Sequence, residues 1–235
     1  MYTQTTAFYD KLYAARGRAC AREADAVAAA IREAVPRAHT LLDVGCGTGA
    51  HLAEFERLGF VGRGIDVDYK MVALARSRLP EAAIEPGDMT NFKLHDHFDA
   101  IVALDAMAYL RVPARLETAV ARMAEHLRPL GVLVVEPYVS FSQFKPGTVD
   151  GIFVDEADLK IARMHVSKQT GHIATLDYHY LVASLTGVER YFERHELGLF
   201  EETHYRDAFE KAGLTFERAD APAFGKGGQL FIGRR

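Results

Sequence analysis

Apolar residues recur along this chain with two different periods, and the changes of period divide it. Residues 5–16 carry Phe8, Tyr9 and Tyr13 around Asp10 and Lys11 on a short helical pattern that Arg16-Gly17-Arg18 interrupts. Residues 19–34 are Ala-rich, with Val27 and Ile31 at helical spacing, and Pro36 stops them. From 40 onward, short apolar runs alternate with helical patterns. Strands are predicted at 40–44, 61–66, 83–85, 98–104 and 132–137. Helices lie between them: one through Leu52, Phe55 and Leu58 ending at Gly59, one at 69–78, and one at 113–127 presenting Leu116, Val120, Met123 and Leu127. Pro129-Leu130-Gly131 is the turn into the fifth strand. Strands alternating with helices at this spacing predict an α/β domain with a parallel, doubly wound sheet.

The period then changes to two. Ile161–Ser167, Ile173–Ser184 and Val188–Leu199 read as consecutive strands, with turns at Gln169-Thr170-Gly171-His172 and Thr186-Gly187. This predicts an antiparallel three-stranded meander inserted into the α/β domain. A helix at 203–212, through Tyr205 and Phe209, leads to two last strands, Leu214–Glu217 and Gln229–Gly233, paired across a 218–228 loop. The expected segments are 1–145 for a lid helix and the α/β core, 146–200 for the inserted sheet, and 201–235 for the elements completing the core.

Composition narrows the class without changing this picture. With 235 residues, 49% hydrophobic and 26% charged, the chain has the balance of one large ordered domain. A net charge of -4 argues against a broad nucleic-acid surface. No apolar run is long enough to span a bilayer, so no membrane partner is expected. The first residues lack the basic and apolar regions of a secretory signal, and Cys20 and Cys46 cannot form a disulfide framework. A cytoplasmic location is expected.

The chemistry centres on Leu41-Leu42-Asp43-Val44-Gly45-Cys46-Gly47-Thr48-Gly49. A strand, a glycine turn and a helix start form a unit that holds the polar part of a nucleotide-like cofactor, because glycine lets the backbone come close. Asp66, 17 residues after Gly49, ends the second strand where a ribose would lie. It accepts two hydrogen bonds from vicinal hydroxyls or, alternatively, caps a helix, as Asp68 is equally placed to do. Gly87-Asp88-Met89 follows the third strand and fits an adenine, with Asp88 taking the exocyclic amine and Met89 the ring face, or is a plain polar turn. Gly45-x-Gly47-x-x-Ala50 also satisfies a dinucleotide pattern, so a nicotinamide enzyme is a rival. Asp43 is unusual in a dinucleotide strand but suits a cationic ligand, and no second mononucleotide half follows. These features favour S-adenosylmethionine.

Together, the 41–49 turn, Asp66, Gly87-Asp88-Met89 and strand 99–104 resemble the class I S-adenosylmethionine-dependent methyltransferases. Further stretches resemble the N,N-dimethyltransferases of nucleotide-linked deoxyaminosugars in macrolide antibiotic biosynthesis. These are Tyr9-Asp10-x-x-Tyr13-x-x-Arg16-Gly17-Arg18, Val135-Glu136-Pro137, Gly171–Thr175 with Tyr191–Leu197, Leu199-Phe200-Glu201 and Tyr205-x-x-Ala208-Phe209-x-x-Ala212-Gly213. The resemblance covers nearly the whole chain. It implies a Rossmann-like seven-stranded sheet, a homodimer, and a site between the sheet's carboxyl edge and the inserted strands. Arg18, Asp43, Gly45, Cys46, Gly47, Gly49, Asp66, Val67, Met71, Gly87, Asp88, Met89 and Leu104 are the expected cofactor contacts. Tyr9, Tyr13, Asp105, Met107, Tyr109, Glu136, Tyr138, Tyr178 and Lys226 are the expected acceptor contacts.

This chain departs from those enzymes at Asp105-Ala106-Met107-Ala108-Tyr109, where they carry small polar residues and a glycine-histidine pair. It departs again at Val139, where a second aromatic is missing, and at Lys226, where they favour arginine. The acceptor is therefore open: another aminosugar nucleotide, or a different small amine or hydroxyl compound. An amine must be neutral to attack, and Tyr13, Asp105 and Tyr109 are the candidates to orient it or take its proton. Asp105 can equally be a helix cap or a cofactor contact, and Tyr109 a pocket wall. The basic residues Arg16, Arg18, Lys226, Arg234 and Arg235 face a phosphate-bearing acceptor or solvent. His95 and His97 belong to a polar loop before the fourth strand, and His165, His172 and His179 sit on strands with no partner carboxylate pattern, so no metal is expected.

Overall fold

The computed structural model describes residues 5–225 and 227–235. A single 3-10 turn at Thr6–Phe8 leads into α1 (Tyr9–Ala15), and α2 (Cys20–Ala34) follows. The core then runs β1 (Thr40–Val44), α3 (Ala50–Arg57), β2 (Val61–Asp66), α4 (Tyr69–Arg78), β3 (Ala83–Pro86), β4 (Phe98–Ala103), α5 (Pro113–Glu125) and β5 (Leu127–Val135). Four strands follow: β6 (Val149–Asp155), β7 (Leu159–Thr170), β8 (Ile173–Ser184) and β9 (Gly187–Gly198). The chain closes with α6 (Glu202–Lys211), β10 (Glu217–Asp220) and β11 (Gln229–Arg234).

The large sheet has the order β10-β11-β5-β4-β1-β2-β3, parallel except at β11, which runs antiparallel to both its neighbours. Alternation on the strands sorts the core into two layers. Leu42, Val44, Ile101, Ala103, Leu133 and Val135 pack under α5 and α6, against Leu116, Val120, Met123, Tyr205 and Phe209. Leu41, Ala100, Val102, Val132 and Val134 point the other way, onto Val27 and Ile31 of α2, Phe55 of α3 and Val72 of α4. Because β1 pairs with both β2 and β4, the chain order reverses there, opening a crevice beyond their carboxyl ends.

The small sheet is an antiparallel β6-β7-β8-β9 meander, one strand more than the alternation predicts. Only Ile152 and Val154 of β6 are buried, and its acidic, glycine-containing stretch hides a short edge strand. One face of this sheet, with Ile161, Leu176, Tyr178, Tyr180 and Val182, packs with Leu12 of α1. Two boundaries also shift. Leu127 starts β5, paired with Phe98, instead of ending α5. The strand expected at 214–217 is β10 at 217–220, while Leu214 belongs to the core.

Candidate active site

Three glycines shape the turn after β1, with positive φ at Gly45 (81°), Gly47 (54°) and Gly49 (73°). The Gly45 and Cys46 N–H groups both donate to the Ile65 carbonyl, at 2.8 and 3.0 Å, tying the turn to β2. A Cβ on Gly45 would lie 2.7 Å from the Ala106 Cβ, so the backbone's close approach leaves no room for a side chain. The Asp66 carboxylate accepts the N–H groups of Gly47 and Asp68, each at 2.8 Å, and stands at the cavity rim. Burial raises its pKa while those N–H groups oppose the rise. Asp68 caps α4 by accepting from Lys70 and Met71, so the capping alternative for Asp66 falls to its neighbour.

Beyond the turn lie two adjoining recesses of about 160 and 360 Å³, both bordered by Tyr9, Gly45, Gly47, Leu104 and Asp105. Together they reach the usual size of a small-molecule site. The first has apolar walls from Val67, Met71, Met89, Leu104 and Leu110, with Asp66 and Gly87-Asp88 at its edges. Asp88 accepts the Thr90 N–H and hydroxyl, both at 2.8 Å, and meets Arg115 at 3.3 Å. Burial disfavours its ionisation, but these donors outweigh burial and hold the carboxyl below its ordinary range.

The second recess is dominated by charge. Tyr13, Arg18, Asp43, Cys46 and His51 border it. Behind them Glu23 on α2 is fully buried, accepting the Tyr13 hydroxyl and His51 Nε2, each at 2.7 Å, and pairing with Arg18. Burial alone would raise Glu23, yet hydrogen bonds from His51, Arg18 and Tyr13 bring it down to about 2. Burial likewise opposes charge on His51, but Cys20 and Glu23 outweigh it and lift the imidazole to about 10. Asp43, 2% exposed, is pushed up to about 7, by burial first, while His51 opposes.

Asp105 sits at φ 49° just past β4. Its carboxylate is open to the cavity yet ringed by protein, and that enclosure raises its pKa against the pull of Arg16, Arg18 and His51. Glu136, at the end of β5, accepts from Arg18 at 2.9 Å through Oε1, while buried Oε2 has no hydrogen-bond partner. Burial and then Asp105 raise Glu136. The turn after β4 also carries Tyr109, which borders the first recess and bonds His195.

The remaining expected residues fall elsewhere. Met107 is fully buried in the layer with Leu110 and Leu116, because the turn after β4 aims it into the core. Tyr178 is 3% exposed within the meander, edge-on to His195, and does not reach the cavity. Tyr138 is packed against the same cluster. Gly49 starts α3, where its role is contact with α4: a Cβ there would meet the Ala75 Cβ at 3.1 Å. Arg234 pairs with Glu217 and Arg235 caps carbonyls at Ala124 and Leu127, at the amino edge of the parallel strands, away from the crevice. Lys226 lies outside the described residues. Among the described residues no group of three or more His, Cys, Asp or Glu could hold a metal ion, and no helix is long and apolar enough to cross a membrane.

The comparisons agree with this geometry. Residues 41–131 match the family model described as a methyltransferase domain. Over 227 residues the chain is 37% identical to a Streptomyces venezuelae dTDP-3-amino-3,4,6-trideoxy-α-D-glucopyranose N,N-dimethyltransferase, covering 96% of this chain and 95% of that protein. The chain belongs to the dTDP-aminosugar N,N-dimethyltransferase family. A Saccharopolyspora spinosa dTDP-4-amino-2,3,4,6-tetradeoxy-D-glucose N,N-dimethyltransferase is also 37% identical, over 97% of this chain and 91% of its own. The S-adenosylmethionine-bound amino pentose methyltransferase CalS10 of Micromonospora echinaspora superposes with a TM-score of 0.89 at 36% identity, covering 100% of this chain and 98% of its own.

As a member of this family, the methyltransferase uses S-adenosylmethionine as its methyl donor. Its cavity fits that molecule. The glycine cradle admits a close ligand, the first recess offers carboxylates and apolar walls to a nucleoside, and the second offers both charge signs to an amino-acid tail. Glu23, His51 and Arg115 are the residues that sequence reasoning missed here. Glu23 had a readable signal: it lies four residues before Val27 and eight before Ile31, an acid on an apolar stripe.

Proposed function

We propose that this methyltransferase N-methylates the amino group of a nucleotide-linked deoxyaminosugar. The observation that carries the proposal is the Asp105 carboxylate, which borders both recesses, with Glu136 lodged behind it and acting on it through charge. A carboxylate facing the cavity calls for a donor such as an ammonium or amine N–H. Family relatives bear the amino group at C3 or C4, or on a pentose, so the position on the ring is not common to them.

In this proposal Asp66 holds the cofactor's ribose hydroxyls, Asp88 and Met89 its adenine, and Asp43 with Arg18 its charged tail. When bound, S-adenosylmethionine supplies a methyl group activated by a sulfonium. Glu136 and Asp105 draw the acceptor's nitrogen inward. Their raised proton affinity suits the removal of a proton near neutral pH. The ammonium N–H bond breaks, an O–H bond forms at the Asp105 carboxylate, and the electron pair remains on nitrogen. Tyr9, Tyr13 and Tyr109 restrict the acceptor's approach. Orientation of this kind lowers barriers by about 7–11 kcal/mol. The segments 1–145, 146–200 and 201–235 serve as cofactor domain, acceptor cover and core closure.

We also propose that the enzyme is a cytoplasmic homodimer with no nucleic-acid or membrane partner. Supporting the dimer, the outer face of the small sheet exposes Phe153, Met164, Leu181 and Phe192 on neighbouring strands. The acceptor class is tested with labelled S-adenosylmethionine and paired nucleotide sugars that differ only in amine or hydroxyl. Label on the amine alone is expected. Label on the hydroxyl sugar, or on neither, overturns the proposal.

A further inference from the structure

A polar chain runs inward from the acceptor wall and no step above uses it. The Tyr109 hydroxyl lies 2.7 Å from His195 Nδ1, across the gap between the turn after β4 and strand β9 of the small sheet. His195 is 1% exposed, and its ring packs edge-on against Tyr178, with centroids 5.0 Å apart. Its Nε2 faces Glu193 Oε2 at 3.8 Å. Glu193 is itself buried and held, accepting the Thr5 N–H at 3.1 Å, the Thr5 hydroxyl at 2.7 Å and the Tyr180 hydroxyl at 3.2 Å.

These contacts favour one direction for the hydrogen bond. Glu193, taking three donated hydrogens, is a carboxylate, and its negative charge favours the imidazole proton on the nitrogen that faces it, Nε2. Nδ1 is then a lone pair, so it accepts, and the Tyr109 hydroxyl donates. Burial lowers the His195 pKa, which keeps the ring neutral and this direction unchanged near neutral pH. With its proton directed at His195, the Tyr109 oxygen is an acceptor for any group that reaches it from the cavity. A donor is welcome there, and a bare acceptor atom is repelled.

We infer that His195 is a positioning residue for methyl transfer: it orients Tyr109 as a hydrogen-bond acceptor for the acceptor's N–H, in concert with Asp105. The inference rests on the amine-acceptor reading above and deepens it. The same hydrogen bond joins the small sheet to the acceptor wall.

Two measurements test it on the full-length protein. In ¹⁵N-histidine NMR, His195 is expected as the Nε2–H tautomer, and Tyr109→Phe is expected to move the Nδ1 resonance toward that of an unbonded imidazole nitrogen. A resonance of a protonated Nδ1, or no response to Tyr109→Phe, overturns the inference without any acceptor being present. In steady-state assays, His195→Phe and Tyr109→Phe are each expected to lower kcat by roughly 10- to 100-fold, and His195→Phe, whose side chain lies outside both recesses, is expected to leave S-adenosylmethionine affinity unchanged. The double variant is expected to match either single one, since both remove the same hydrogen bond.

His195→Asn, which retains an acceptor near the Nδ1 position, is expected to recover most of the activity, and it replaces His195→Phe if that variant does not fold. Multiplying losses in the double variant, full turnover in His195→Phe, or no recovery in His195→Asn overturns the inference. If the wild-type protein methylates no aminosugar, the amine-acceptor reading fails by itself, and the NMR result still decides the orientation of Tyr109.

Discussion

Replacing Glu23 by glutamine keeps the shape of the side chain and removes the charge on which three others depend. In the folded protein the carboxyl is held at about 2 instead of its ordinary 4.5. At about 1.4 kcal/mol for each tenfold change in proton affinity, this corresponds to about 3 kcal/mol of stability. Because the folded value is depressed, the contribution is present above pH 4.5 and is lost as pH falls through about 2. At pH 7, Glu23→Gln should therefore unfold about 3 kcal/mol more easily, a fall in Tm of about 6–12 °C for a chain of this size. Loss of the His51 bond also returns that imidazole toward its ordinary 6.5. Denaturant unfolding of both proteins from pH 7 down to about 2 reads the effect directly, and their difference should shrink across the acid range. A variant within about 0.5 kcal/mol of wild type at pH 7, or a difference that does not change with pH, would refute the electrostatic account of this network. Since Tyr13 and Arg18 border the cavity, the same variant should bind S-adenosylmethionine more weakly by calorimetry.

Four other outcomes are expected. Asp66→Ala should weaken S-adenosylmethionine binding by roughly 10- to 100-fold in calorimetry, from lost hydroxyl contacts and from N–H groups of Gly47 and Asp68 left unsatisfied. Gly45→Ala should lower Tm, through about 1–2 kcal/mol of left-handed strain and a Cβ crowding Ala106, and should reduce cofactor affinity with it. The Asp43 pKa is raised from 3.8 to about 7, so its contribution to apoprotein stability is full below 3.8 and lost as pH rises through about 7. Asp43→Asn should flatten that fall and leave the apoprotein more stable than wild type at pH 8 in thermal unfolding, while weakening cofactor binding. Asp105→Asn should reduce turnover with near-normal cofactor affinity, and retained turnover would place the acceptor elsewhere.

The half of this cavity proposed to hold the cofactor was legible because it is set by register. A strand, a tight turn and a helix fix where Gly45 and Gly47 lie, and the parallel neighbours fix where Asp66 and Asp88 emerge. The half proposed for the acceptor was less legible, because its walls come from elements far apart in sequence. Tyr109 and His195 are 86 residues apart, and nothing local in either segment announces the other. Glu193, His195 and Leu197 share the buried face of β9, but an acid and an imidazole there give no apolar alternation that would mark that face in the sequence. Met107 shows the converse error. Proximity to Asp105 in sequence suggested the cavity, whereas the turn after β4 sends successive side chains to opposite sides. Edge strand β6 was missed because only two of its seven residues are buried, too few for a pattern.

The most direct measurement is a crystal structure of the enzyme with S-adenosylhomocysteine and a dTDP-linked aminosugar bound together. The expected result is the sugar's nitrogen between Asp105 and Tyr109, facing the sulfur of the cofactor product. A sugar bound with its amino group turned to solvent, and a hydroxyl at that position instead, would contradict the assignment of this enzyme as an aminosugar N-methyltransferase.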